Sequence, residues 1–200
     1  MAFNEYAARD FYSSAGHMLE GYLSSKESFN GILFLLKEPN SEGKPTTKFW
    51  FQEQIFLRAG KDVKSPDAKK EAKGTAFINR FSEMLRQINC NCQLENCAFA
   101  NVNNAGGFNN ESKTYKDLKE DGHVPEIAIG LIKGCNAKIV FTCSDIFELI
   151  LKDCGCSATT DGGLKYKNGK LMRKTVICGV EIYEIIHPSR CSGLKVALKP

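Results

Sequence analysis

Four short apolar runs constrain this chain more than any other feature of it. They lie at residues 31–36, 97–102, 137–142 and 180–186, and each has the length of a single strand. The first, Gly31-Ile32-Leu33-Phe34-Leu35-Leu36, is apolar throughout, as a strand buried on both faces must be. Between the runs the spacing turns helical. Phe77, Ile78, Phe81, Met84, Leu85 and Ile88 form one face over residues 75–89. Ile127, Ile129, Leu131 and Ile132 follow Pro125 and stop at Gly134, and Ile146, Phe147, Leu149 and Ile150 follow Ser144, which reads as a helix cap. Strands alternating with helices predict an α/β chain: a three-layer α/β/α sandwich around a central parallel sheet of about four strands. At 200 residues it is expected to fold as one domain over 1–200, burying roughly 70% of its unfolded surface.

The rest of the chain is less sharply patterned. Phe3, Tyr6, Ala7, Phe11, Leu19, Tyr22 and Leu23 have helical spacing over residues 3–24, with a break near Gly16. Residues 40–47 form a Gly/Pro/Ser/Thr loop, followed by the aromatic group Phe49-Trp50-Phe51 and a helical stretch to about Leu57. Residues 61–74 are charged and expected at the surface. Asn168-Gly169 signals a hairpin within 161–178.

An apolar fraction of 42% and a charged fraction of 25% belong to an ordinary globular protein. No segment reaches the ~20 apolar residues of a membrane span, and the first residues lack the basic start and apolar stretch of a signal peptide. A cytoplasmic, monomeric protein without a membrane partner is the expectation. The nine cysteines are odd in number and include two C-x-C pairs, Cys90/Cys92 and Cys154/Cys156, but no C-x-x-C. That spacing favours reduced thiols over a zinc site or a disulfide scaffold, and no metal or other cofactor is expected. Cys97, Cys143 and Cys178 read as small core residues beside apolar runs. His17 and His123 have no partner assignable from sequence. The net charge of +4 bears on association rather than fold, and Arg190, Lys195 and Lys199 follow the last run with no acidic residue among them.

The loops that follow the runs carry the chemistry. The fourth run ends in His187-Pro188-Ser189-Arg190, and the first ends in Lys37-Glu38-Pro39-Asn40. Proline stops a strand ladder and holds the preceding residue extended. Glu38 and His187 are therefore expected at the carboxyl ends of two strands, where open α/β sheets place their sites. Asn101 stands near the end of the second run.

In this order the motifs resemble the uracil-DNA glycosylase superfamily, over residues 30–195. The family's first motif, a strand followed by Gly-x-Asp/Asn/Ala-Pro, is similar to Leu36-Lys37-Glu38-Pro39-Asn40; its last, His/Asn-Pro-Ser, matches His187-Pro188-Ser189. Asn101 corresponds to the strand-end Asn that recognises the base, and Phe49, Trp50 and Phe51 lie where an aromatic stacks on it. Leu36 replaces the motif's Gly, Glu38 its Asp or Asn, and Arg190-Cys191 the Pro-Leu of some branches. No cysteine precedes Cys90 to serve as an iron–sulfur ligand. The resemblance implies a uracil-DNA glycosylase-like fold and a DNA-repair glycosylase that hydrolyses the N-glycosidic bond of a flipped damaged base such as uracil. Its substrate would be DNA, either single-stranded or a damaged duplex.

Breaking that bond requires stabilising a cationic sugar and a departing anionic base. The resemblance gives the first role to Glu38 and the second to His187. It gives base contacts to Lys37, Asn40, Phe49, Phe51 and Asn101, and DNA contacts to Ser189, Arg190 and Lys195. On the residues alone, Glu38 also reads as a solvated loop carboxylate, His187 as a strand-end hydrogen bonder and the aromatics as core. The alternative function is a non-catalytic nucleic-acid-binding protein that retains the fold.

Overall fold

The structure, a computed structural model, describes residues 21–22, 28–38, 68–103, 113–166 and 168–186. Asn40, Phe49, Trp50, Phe51, His187, Ser189, Arg190 and Lys195, expected at the site from sequence, lie outside these residues. The described strands are β1 (Gly21–Tyr22), β2 (Ile32–Leu36), β3 (Ala98–Asn101), β4 (Ile139–Cys143), β5 (Lys174–Ile177) and β6 (Val180–Ile185). The helices are α1 (Ala68–Gln87), α2 (Lys113–Glu120), α3 (His123–Gly134) and α4 (Ser144–Cys154).

The described strands form one sheet in the order β1-β3-β2-β4-β6-β5. Its centre, β3-β2-β4-β6, is parallel, as the four apolar runs predict. Antiparallel β1 and β5 border it. The connection from β2 to β3 carries α1; those from β3 to β4 and from β4 to β6 run the other way and carry α2, α3 and α4. Right-handed crossovers that run in opposite directions put their helices on opposite faces. The core divides accordingly. Phe34, Leu36, Phe99, Phe141 and Tyr183 pack with Ile78, Phe81, Met84 and Leu85 of α1. Leu33, Leu35, Ala98, Val140 and Ile182 pack with Val124, Ala128, Ile132, Ile146, Phe147 and Ile150 on the other face. Pleat alternation in β2 sends successive side chains into these two cores.

A row of rings crosses the parallel strands on the α1 face. Phe34 stacks on Phe99 and on Phe141, both with centroids 4.9 Å apart, and Phe141 stacks on Tyr183 at 5.4 Å. Phe81 of α1 meets Phe34 edge-on at 4.6 Å.

Several expectations are corrected. Residues 21–22, read within a helix over 3–24, are strand β1, paired antiparallel with Phe99 and Ala100. Helix α1 begins at Ala68, ahead of the start expected at residue 75. Ser144 does not cap α4: Cys143 holds the N-cap position and Ser144 is the first helical residue. Asn168-Gly169 does turn the chain, with Gly169 at φ +81° and Lys165 bridged to Leu171. A second hairpin, unforeseen, joins β5 to β6 through Cys178-Gly179, both left-handed at φ +50° and +80°. Cys178 is therefore exposed at a turn and not in the core, whereas Cys97 and Cys143 are buried. Cys90 and Cys92, expected as reduced thiols, are joined as a disulfide. His123 has a partner after all, Glu126 Oε2 at 3.3 Å on the exposed side of α3.

Among the described residues no helix is long and apolar enough to cross a membrane.

Candidate active site at the carboxyl edge of the sheet

The connections leaving β2 and β4 run in opposite directions across the sheet, so the chain changes direction between the carboxyl ends of these adjacent strands. This is the switch point at which open α/β sheets bind ligands. Lys37 and Glu38 follow β2 directly into it. Ser144 and Asp145, in the first turn of α4, enter it from β4.

Beyond the ends of β2 and β3 the backbone pairing continues. The Val102 amide donates to the Leu36 carbonyl and the Asn103 amide to the Lys37 carbonyl, both at 2.9 Å. This extension brings the Asn103 side chain beside Glu38, where Nδ2 donates to the Glu38 carboxylate at 3.0 Å. Asn103 is 1% exposed, so its amide is a fixed support and not a mobile surface group. Asn101, the last residue of β3, is also buried and lies opposite Leu36 in the register, on the α1 face. Two residues on, Asn103 returns to that face by the alternation of the strand. Glu38, Asn101 and Asn103 thus gather on one side of the sheet's edge.

Lys37 goes to the other side. Its ammonium lies 3.1 Å from Asp145 Oδ2 and 4.3 Å above the centre of the Tyr115 ring. The fully buried Tyr115 donates its hydroxyl to the same Asp145 oxygen at 3.1 Å. A carboxylate at a helix N-terminus also meets the positive end of the helix dipole. Lys37, Tyr115 and Asp145 therefore tie α2 to α4 over the end of β2. Thr142 of β4, opposite Leu35 in the register, is fully buried with its Oγ1 unpartnered.

In comparisons with known proteins, no family model and no curated protein matches the chain.

The last parallel strand, β6, reaches the same edge and is held firmly there. The fully buried Tyr166 accepts a hydrogen bond from the Ile186 amide at 3.2 Å, one residue before His187. Tyr166 is fixed in turn by Gln87 at the end of α1, whose side-chain amide pairs with both backbone groups of Lys165, at 2.7 and 2.8 Å. On the opposite face Glu184 is gripped by Arg173 through Nε and Nη2, each at 3.0 Å. Burial would raise the Glu184 carboxyl, but hydrogen bonds from Arg173 and Ser144 outweigh it and hold the group below the usual carboxylate range. The Ser144 hydroxyl thus serves Glu184 where the sequence suggested a helix cap.

Of the site residues expected from sequence, Glu38 and Asn101 come together on one side of this edge, and Lys37 turns to the other side, to Asp145 and Tyr115. Asn103, Tyr115 and Asp145 were not foreseen. Asn103 carried a usable signal, since it lies two residues past Asn101 on the same strand face. Tyr115 and Asp145 carried none, because their approach depends on how α2 and α4 dock. Among the described residues no three His, Cys, Asp or Glu side chains are grouped to hold a metal ion.

Proposed function

We propose that this protein is a DNA-repair glycosylase that takes a damaged base such as uracil out of the stack and hydrolyses its N-glycosidic bond. The observation that carries this reading is the Glu38 carboxylate, held by buried Asn103 at the switch point of the sheet, on the same side as Asn101. In this reading Glu38 faces the sugar, stabilises its developing positive charge and orients the attacking water. Asn101 reads the base edge through an amide that both donates and accepts. His187 follows the strand end fixed by Tyr166 and donates to the departing base. Phe49 or Phe51 stacks on the base, with Lys37 and Asn40 beside it, and Ser189, Arg190 and Lys195 contact phosphates. The parallel order β3-β2-β4-β6, with helices on both faces, is compatible with a uracil-DNA glycosylase-like sandwich.

The test is single-turnover excision from oligonucleotides carrying uracil, hypoxanthine or xanthine, single-stranded and duplex. Glu38→Gln and His187→Ala should each slow cleavage roughly 100- to 1,000-fold. DNA affinity at fixed salt should be nearly unchanged, because it rests on phosphate contacts. Full cleavage by both variants would remove the catalytic assignment. DNA binding by a parent protein that cleaves none of the lesions would favour the non-catalytic reading, to which the commitment of Lys37 to Asp145 lends support.

A further inference from the structure

Cys90 and Cys92 are joined across a single residue, Asn91, where α1 gives way to the approach to β3. The two cysteines are held differently. Cys90 belongs to the end of α1. Asn89 is left-handed at φ +57°, its amide donates to the Arg86 carbonyl at 3.1 Å, and the Cys90 amide donates to the Leu85 carbonyl at 3.0 Å. These two bonds make the Schellman arrangement that closes a helix and fixes the residue after the left-handed one. Backbone bonding resumes at Asn96 and Cys97, whose amides donate to the Gln93 and Leu94 carbonyls. Among the described residues the amides of Asn91, Cys92 and Gln93 have no acceptor, so the backbone at Cys92 can shift without breaking a hydrogen bond of its own. Both cysteines are half-buried, packed on the α1-face core without being sealed in it.

Loop length decides what this bond does for the fold. The entropy that a disulfide removes from the unfolded chain grows with the logarithm of the loop it closes. A cross-link between residues two apart stands at the bottom of that scale. Linkage makes the effect reciprocal: a bond that does little for folding is one that folding does little to protect. Structural disulfides resist reduction by glutathione, whereas exposed or weakly supported ones exchange with it. The next thiol along the chain, Cys97, takes no part. It is fully buried, accepts from Asn30 Nδ2 at 3.3 Å and donates to the Gln93 carbonyl at 3.7 Å, and burial pushes it up to about 12.

We propose that Cys90 and Cys92 form a dithiol–disulfide exchange site for small thiols such as glutathione, a reversible modification site and not a structural staple. In reduction a glutathione thiolate attacks Cys92 Sγ, forms a mixed disulfide and releases the Cys90 thiolate. A second glutathione thiolate attacks the glutathione sulfur of that adduct, forms oxidised glutathione and releases the Cys92 thiolate. The protein S–S bond takes up two electrons, two glutathione thiols lose them, and the two protons those thiols gave up end on Cys90 and Cys92. Oxidation runs the other way: the Cys92 thiolate attacks oxidised glutathione, and the Cys90 thiolate, fixed at the helix end, displaces the bound glutathione from Cys92.

The experiment equilibrates the full chain in mixtures of reduced and oxidised glutathione, quenches with acid, alkylates free thiols and maps Cys90 and Cys92 by mass spectrometry. The pair should pass from fully oxidised to fully reduced within the ratios that glutathione mixtures span, with no lasting adduct on either cysteine. The Tm values of the two end states should differ by no more than about 5 °C. In Cys90→Ser, oxidised glutathione should leave a persistent adduct on Cys92, because no thiol remains to displace it. A bond that survives reduced glutathione until the chain unfolds, or a Tm loss on reduction above that limit, would mark a structural staple and overturn the proposal. A pair that stays reduced in oxidised glutathione, two separate adducts in the parent protein, or no adduct on Cys92 in Cys90→Ser would overturn it equally.

Discussion

Replacing Arg173 with Met tests how the last parallel strand is held. Arg173 donates to Glu184 from Nε and Nη2 at 3.0 Å and from Nη2 to Glu148 at 2.6 Å, and its guanidinium lies 5.3 Å from the centre of the Phe147 ring. Methionine keeps an apolar stem against Phe147 and removes the charged fork. Breaking a fully buried pair costs about 3–5 kcal/mol, because a charge is left behind without its partner. The Glu184 side chain is 7% exposed but that of Arg173 is 34%, so water can enter the vacated space. Glu184 also keeps the backbone amide of residue 173, at 3.2 Å, and Ser144. These two facts reduce the expected loss to about 2–3 kcal/mol, or about 5–10 °C in Tm for a chain of this size. Glu148 is 55% exposed, so Glu148→Ala should cost less than ~1 kcal/mol.

The pH dependence follows from the sign of the shift. A carboxyl held low in the folded protein contributes stability that is complete above its unfolded value and is lost as pH falls through the folded one. In Arg173→Met burial dominates at Glu184. The stability gap between parent and variant should therefore close progressively in acid. Urea denaturation of both proteins at neutral pH and at stepwise lower pH measures this. The double variant Arg173→Met/Glu184→Met should regain most of the loss. A neutral-pH gap under ~0.5 kcal/mol, or one that persists in acid, would refute the argument.

Two smaller changes probe packing. Thr142→Val removes the unpartnered hydroxyl while keeping the side chain's shape, and should stabilise the fold by roughly 1 kcal/mol in the same denaturation assay. Gly163→Ala should destabilise by ~2 kcal/mol or more, since a Cβ there would run into the backbone carbonyl of Met172 and force the Tyr166 hairpin to shift. A rotated Tyr166 would also release the Ile186 amide.

The parallel strands were legible because strands buried on both faces must be apolar in sequence. Ile32–Leu36 could hardly be anything else. The edge strands lacked that signal. Gly21–Tyr22 is too short to carry a period, and Lys174–Ile177, two polar residues followed by two apolar ones, shows neither an apolar run nor an alternation. The turn at Cys178-Gly179 was missed because cysteine is a poor predictor of left-handed backbone. At the candidate site, proline marked where Glu38 would stand, and the end of the second apolar run marked Asn101. The Lys37–Asp145–Tyr115 group depends on contacts between elements far apart in the chain, which local pattern does not encode.

The row of rings on the α1 face has a kinetic consequence. Phe34 pairs with Phe99 on one side and Phe141 on the other, and Phe141 with Tyr183, so the row joins residues from well-separated parts of the chain. Loop closure must be completed before such contacts contribute, and slow, late assembly is the usual result. β2 is the first of the four parallel strands to be synthesised, yet it must wait for both neighbours. A slip of one residue in any of the four would turn its ring to the opposite face. A nascent chain that has not yet made β4 therefore has no switch point beside Glu38, and a misregistered one cannot form it.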